Sequence, residues 1–210
     1  MHRIAVLILA GKEFLSYTFN LEEQEGKKVK KASLILEGGA KRGIFTSGVL
    51  DYLMEQEYYI PHVIGVSAGS CNAVDYVSRQ PQRTKACMIR SGEDGKMISF
   101  HQFFRTRSLL DMDLIFERDP KELHPFDFDT YFSSKMTCEI VVTNCLTGQA
   151  EYLTETEDGD RLMQLCRASS SMPLVTPMVE IDGTPYLDGG IADSIPLIHS
   201  MKSGYRKNVL

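Results

Sequence analysis

The stretch Pro61-His62-Val63-Ile64-Gly65-Val66-Ser67-Ala68-Gly69 decides how this chain is read. An apolar run of strand type reaches Val66, and helical periodicity resumes just past Ser67, so the serine stands on the crossover between the two. G-x-S-x-G in that place is the pattern of a nucleophile elbow. A serine hydroxyl is a weak nucleophile and must be lifted out of a sheet on a tight turn where a base can reach it. Gly65 and Gly69 permit such a turn, because side chains there are expected to collide with neighbouring strands. A helix beginning behind the serine adds partial positive charge that favours a developing oxyanion. The competing reading of these five residues is a tight structural turn.

Two further glycine loops frame this one. Upstream, Ser33-Leu34-Ile35-Leu36-Glu37 reads as a short strand stopped by Gly38-Gly39, and residues 44–55 place Phe45, Val49, Leu50, Leu53 and Met54 at the spacing of a helix. Between them, Gly38-Gly39-Ala40-Lys41-Arg42-Gly43 can aim consecutive backbone N–H groups at an anionic oxygen. An oxyanion loop, a phosphate loop and a plain turn all fit. The G-x-G-x-x-G spacing fails at Ala40, and no G-x-x-x-x-G-K-[ST] is present. Downstream, Asp182-Gly183 supplies a tight turn for a hairpin over residues 179–187. Asp188-Gly189-Gly190 follows it directly. Two glycines let the backbone turn sharply so that the carboxylate can point back toward a site, and an Asp-Gly structural turn is the alternative.

The remaining periodicity predicts helices over 82–90, 160–169 and 195–201, with strands over 138–143 and 151–154. It also predicts a strand just starting at 208–210, and residues 97–132 read as a less regular aromatic region. Alternating strands and helices with apolar strands predict an α/β fold, its sheet mostly parallel and covered by helices on both faces. Residues 1–31 read as an N-terminal extension and linker, and 32–210 as the organised domain. Ile4 to Ala10 is a short apolar segment, at the bottom of the length range of a signal peptide and without a clear small-residue cleavage site, so an extension or added strand is favoured. Residues 22–31 read as a solvated linker.

At 210 residues the chain is the size of one ordinary domain. A net charge of −5 argues against nucleic-acid partners and against strong attraction to anionic lipid. No apolar run approaches the roughly 18–20 residues of a membrane-spanning helix. Cys71, Cys87, Cys138, Cys145 and Cys166 are odd in number and widely spaced. A disulfide framework or zinc knuckle is therefore not expected, and a reducing, cytoplasmic compartment is. The five histidines are equally scattered, so no metal and no cofactor are expected. Phe100, Phe103 and Phe104 with Arg105 and Arg107, followed by Leu109, Leu110, Met112, Leu114, Ile115 and Phe116, mix aromatic and basic groups as interfacial helices do. Ordinary core packing is favoured there, with peripheral membrane contact as the second reading.

Taken in order, the glycine loop at 38–43, the elbow at 65–69 and Asp188-Gly189-Gly190 resemble the patatin-like phospholipase family. Ala168-Ser169-Ser170-Ser171-Met172-Pro173 before the hairpin and Asp193-Ser194-Ile195-Pro196 after it are similar to that family's pattern too. The resemblance spans about residues 33–210 and implies the family's three-layer fold. It also implies a lipid acyl hydrolase working through a Ser–Asp dyad, without cofactor or metal, on a lipid or other ester substrate. Ser67 is then the nucleophile and Asp188 the general base. The N–H groups of Gly38, Gly39 and Ala40 form the oxyanion hole, with Arg42 and Gly43 supporting the loop. Partial burial must then raise the basicity of Asp188. Two departures stand out. The family commonly has a third glycine where this chain has Ala40, and an alanine keeps the hole unless its φ is positive. The family's domain also normally continues past the aspartate, so a truncated catalytic domain is expected. Two alternatives remain: a non-catalytic lipid- or nucleotide-binding module, and an α/β-hydrolase triad recruiting His199, which follows Asp188 in the order of such triads. Oligomeric state, head group and chain-length preference are not legible.

Overall fold

The computed structural model describes residues 3–10, 13–20, 32–89 and 110–210. Strands β1 (Arg3–Ala10) and β2 (Glu13–Asn20) pair antiparallel as a separate two-stranded sheet. The extension thus holds a hairpin. Its second strand was not expected from sequence, although Tyr17, Thr18 and Phe19 are strand-favouring types. The expected linker over 22–31 lies outside the described residues.

The principal sheet has seven strands: β3 (Ala32–Leu36), β4 (His62–Val66), β5 (Thr137–Asn144), β6 (Ala150–Leu153), β7 (Val179–Ile181), β8 (Thr184–Asp188) and β9 (Lys207–Val209). Its order is β7-β8-β5-β4-β3-β9, with β6 also on β5. The four strands β9, β3, β4 and β5 are mutually parallel, whereas β6, β7 and β8 run against their neighbours. Strands that are apolar without interruption suit a sheet covered on both sides. Leu34, Leu36, Val63, Ile140 and Val142 join the larger core with α1 (Gly43–Glu55), α2 (Ala68–Val77) and α6 (Gly159–Ser169). Ile35, Ile64, Val66 and Val141 face the other way, against Ala150, Tyr152 and Leu197 of α7 (Leu197–Lys202). Period-two alternation therefore feeds two cores, as the α/β reading expects.

One register places the site. A strand residue has two edges, and β5 uses both. Val141 pairs with Val66 of β4 and with Tyr152 of β6, while Val142 pairs with Glu151 of β6 and with Asp188 of β8. Since β6 lies along one edge across residues 140–143, β4 and β8 share the other edge end to end.

Helix α3 (Arg83–Met88) is shorter than expected. The aromatic region is more regular than its sequence suggests. Within it, α4 (Leu114–Leu123) is wound as a π-helix around Pro120, and α5 (Phe128–Ser133) is capped by the Asp127 carboxylate, which accepts the Thr130 N–H at 2.9 Å. Proline removes a backbone donor and weakens α periodicity, which hides such a helix from a pattern search. Met112 and Phe116 are core residues here, while Phe100, Phe103, Phe104, Arg105, Arg107 and Leu109 lie outside the described residues. Among the described residues, no helix is long and apolar enough to cross a membrane.

Candidate active site

Ser67 sits where β4 ends and α2 begins, with φ 54° and ψ −127°. This is backbone space that an L-residue occupies only when the surrounding structure imposes it, at about 1–3 kcal/mol. The two elbow glycines earn their place by proximity. A Cβ on Gly69 would lie 2.2 Å from the Leu36 carbonyl oxygen on β3, the strand collision expected from sequence. A Cβ on Gly65 would instead strike the following helix, 2.6 Å from the Gly69 carbonyl oxygen and from Ser70 Cα. That corrects the expectation at Gly65, whose constraint comes from the turn closing on itself.

Asp188 ends β8 and is buried. Because Val66 and Asp188 pair with consecutive residues of β5, the strand carrying the serine and the strand carrying the aspartate point their ends at each other. The Asp188 carboxylate interacts with the Ser67 side chain and accepts the Gly190 N–H at 2.8 Å. Burial pushes its pKa above the ordinary aspartate value, with the Ser67 and Gly190 contacts pulling the other way. The glycines after it are needed for space and not for positive φ. A Cβ on Gly189 would fall 2.2 Å from the Val141 carbonyl oxygen, and one on Gly190 would fall 3.1 Å from Asp188 Oδ1.

The loop at 38–43 leans on the serine. A Cβ on Gly38 would come within 2.8 Å of Ser67 Cβ, so only glycine allows that approach. Gly39 adopts φ 144°, and a Cβ there would sit 3.2 Å from Arg42 Nε. The Arg42 side chain is therefore folded back over the loop. Gly43, buried at the start of α1, packs near Ala68 and gives its carbonyl to the Asn72 amide at 3.0 Å. Among the described residues, no acceptor is found for the N–H groups of Gly38 and Gly39. Ala40 has φ 49°. The condition under which an alanine was expected to keep its place in the hole is thus not met. Ala40 holds left-handed backbone at roughly 1–2 kcal/mol that glycine would avoid.

Three residues without an assigned role in the sequence reading hold these pieces together. Ser169 Oγ accepts the Ser67 N–H at 2.8 Å and donates to the Val141 carbonyl at 2.6 Å, tying the elbow to β5. Two residues on, the Ser171 carbonyl accepts the Asp188 N–H at 2.8 Å. Thr143 Oγ1 donates to the Asp188 carbonyl at 2.8 Å. The stretch 169–171 therefore steadies both ends of the serine–aspartate pair. Its signal was visible as a serine run, but serines are common and only contacts distant in sequence distinguish these. Ser169→Ala leaves two buried partners unsatisfied and is expected to cost about 2–4 kcal/mol. Urea denaturation measures this as a lower midpoint at unchanged slope.

His199 is elsewhere. Its Nε2 lies 2.6 Å from Glu139 Oε2, and its ring stacks on Tyr152 with centroids 3.4 Å apart. Burial works against the Glu139 charge, but hydrogen bonds to His62 and His199 outweigh it and hold the carboxyl below its ordinary range.

A cavity of about 960 Å³ opens at Ser67, at the upper end of the usual range for ligand pockets. Its walls include Met88, Met112, Phe116, Met163 and Val175, while Gly39, Ala40, Lys41 and Arg42 border it near the serine. Asp75, Arg83, Thr84 and Asp119 supply its polar part. Arg83 pairs with Asp75 at 2.9 Å, and Thr84 Oγ1 donates to the other Asp75 oxygen at 2.6 Å. Among the described residues, Cys87, Asp119 and His124 are the one group whose donor atoms cluster as metal ligands do. Here the Cys87 thiol donates to Asp119 at 2.9 Å and His124 Nδ1 lies 2.8 Å from the same carboxylate. Burial pushes the Cys87 thiol above its ordinary pKa.

The chain is 29% identical over 185 residues to the uncharacterized protein YjjU of Escherichia coli (strain K12). That alignment covers 86% of this chain and 51% of the relative, so the chain spans about half the length of the protein it matches. The sequence profile of the patatin-like phospholipases matches residues 34–200, which include the elbow, the glycine loop and Asp188. The chain belongs to the patatin-like phospholipase family.

Proposed function

We propose that this chain is a serine acyl hydrolase that cleaves carboxylic esters of lipids through an acyl-serine intermediate, with Ser67 as nucleophile and Asp188 as its base. The observation that carries this reading is the end-to-end placement of β4 and β8 along one edge of β5, which aims Ser67 and Asp188 at each other beside an apolar cavity. Asp188 takes the hydroxyl proton as Ser67 Oγ attacks the ester carbonyl, and returns it to the leaving alcohol. The N–H groups of Gly38 and Gly39 receive the oxyanion, and Ala40, whose φ of 49° fails the condition set for it, is left out of the hole. Each such donor is worth roughly 3–4 kcal/mol of barrier. Water then hydrolyses the acyl-serine with Asp188 again as base. A cavity walled mainly by apolar side chains, Met112, Leu110, Ile115 and Phe116 among them, suits an acyl chain better than a nucleotide. The placement of His199 on Glu139 favours no triad.

A fluorophosphonate probe tests the reading directly. Ser67 is expected to be labelled in the wild-type protein and not in Ser67→Ala, with hydrolysis of p-nitrophenyl esters and phospholipid lost in parallel. Absence of labelling in the folded wild type would remove the hydrolase reading.

The raised pKa of Asp188 sets the acid limb of activity. A base must be unprotonated, so kcat/KM is expected to fall as pH drops through a value above that of an ordinary aspartate. A pH profile whose acid limb lies at or below the ordinary aspartate value would separate Asp188 from that role.

A further inference from the structure

Residues 172–179, Met-Pro-Leu-Val-Thr-Pro-Met-Val, contain no charge. Leu174 is 94% exposed, Met178 60% and Met172 39%, and both prolines are exposed as well. Leu174 also has φ 66°, left-handed backbone that a leucine rarely adopts. The turn beneath it is closed firmly. The Met172 carbonyl accepts the N–H groups of Val175 at 3.2 Å and Thr176 at 3.0 Å, and the Thr176 hydroxyl at 3.3 Å. A hydrogen-bonded, strained turn thus holds a large apolar side chain out in water, where it gains nothing from the fold itself.

The turn's position says what covers it. Met172 and Val175 line the cavity that opens at Ser67, so Leu174 stands on the rim of that cavity. A protein surface or a second copy seated on this rim would close the entrance. A lipid surface would cover the same side chains and at the same time supply acyl chains to the cavity. Resting on the lipid hydrolase reading above, we propose that residues 172–178 are an interfacial docking turn that inserts Leu174, with Met172 and Met178, into a lipid surface. The net charge of −5 and the uncharged turn fit neutral, zwitterionic lipid, with attachment through apolar contact and little dependence on salt.

The chain contains no tryptophan, which gives a clean probe. In Leu174→Trp, adding phosphatidylcholine vesicles is expected to shift the emission to the blue, and 0.5 M salt to leave the shift unchanged. Met178→Trp is a second reporter in the same uncharged stretch. In Leu174→Asp, hydrolysis of phosphatidylcholine in vesicles is expected to fall by about tenfold, the factor for withdrawing one leucine from apolar surroundings. Hydrolysis of a water-soluble p-nitrophenyl ester remains unchanged, because Leu174 does not line the cavity. Unshifted emission from both tryptophan variants in the presence of vesicles overturns the proposal. So does a blue shift that appears on concentrating the protein without lipid, or an equal effect of Leu174→Asp on vesicle and soluble substrate. If neither substrate is hydrolysed by the wild type, the hydrolase reading fails, and the fluorescence experiment still decides the docking turn.

Discussion

Asp188→Asn is expected to leave the protein folded and to lower ester hydrolysis by roughly 10²–10⁴-fold, the range that a positioned general base contributes. Asparagine keeps the shape of aspartate, and its side-chain oxygen can still accept the Gly190 N–H that Asp188 Oδ1 accepts at 2.8 Å. What it lacks is a charge able to take the Ser67 proton. The stability effect has the opposite sign. Burial raises the Asp188 pKa in the folded state, so this group's favourable contribution is present below the unfolded pKa and is lost as pH rises through the folded one. At neutral pH the buried carboxylate is a cost, and the asparagine variant should melt no lower than wild type. Ser67→Ala should lose more activity, on the order of 10⁶-fold where nucleophile and base act as a unit. Adding Asp188→Asn to it should then change almost nothing. Thermal melts followed by circular dichroism, together with turnover of p-nitrophenyl butyrate, measure both halves. Full activity in a folded Asp188→Asn protein would deny Asp188 its role.

Gly69→Ala and Gly189→Ala are expected to destabilise the fold by on the order of 4 kcal/mol or more, the scale reserved for severe clashes. At each position the new Cβ would stand 2.2 Å from a carbonyl oxygen, of Leu36 and Val141 respectively. Both oxygens belong to central strands, β3 and β5, so no flexible side chain can move aside. Gly48→Ala supplies the contrast. Gly48 is exposed within α1, and nothing lies within 4 Å of its added Cβ. Alanine there should stabilise the protein by about 0.5–1 kcal/mol through helix propensity and a less flexible unfolded chain. Soluble yield and urea midpoints separate the three variants. Unchanged stability in Gly69→Ala and Gly189→Ala would mean that the site glycines are not held against the sheet as described.

Much of the candidate site is local and therefore legible. The elbow announces itself because β4, Ser67 and α2 are contiguous, and glycines two residues either side leave a mark at fixed spacing. The Asp182-Gly183 hairpin and the apolar strands β3, β4 and β5 are equally local, since alternation and turn chemistry act over a few residues. The π-helix around Pro120 was not legible, because its repeat matches neither standard period and proline disguises it. The hairpin partner Glu13–Asn20 was missed beside a charged segment that drew the reading toward linker. Ala40 shows the limit at a single residue. Its identity was plain and its consequence stated, but the sign of φ came only from the folded loop.

By itself, then, the sequence determined the alternation of strands and helices, the serine on its crossover, and the ordered motifs that mark the family. Only the tertiary structure decided that Val66 and Asp188 adjoin along β5, that Ser169, Ser171 and Thr143 brace the pair, and that His199 belongs to Glu139. The physical reason is one of range. Periodicity and turn preference are written in neighbouring residues, whereas strand register and buried hydrogen bonds arise between residues far apart in the chain, and are chosen by how the whole sheet packs.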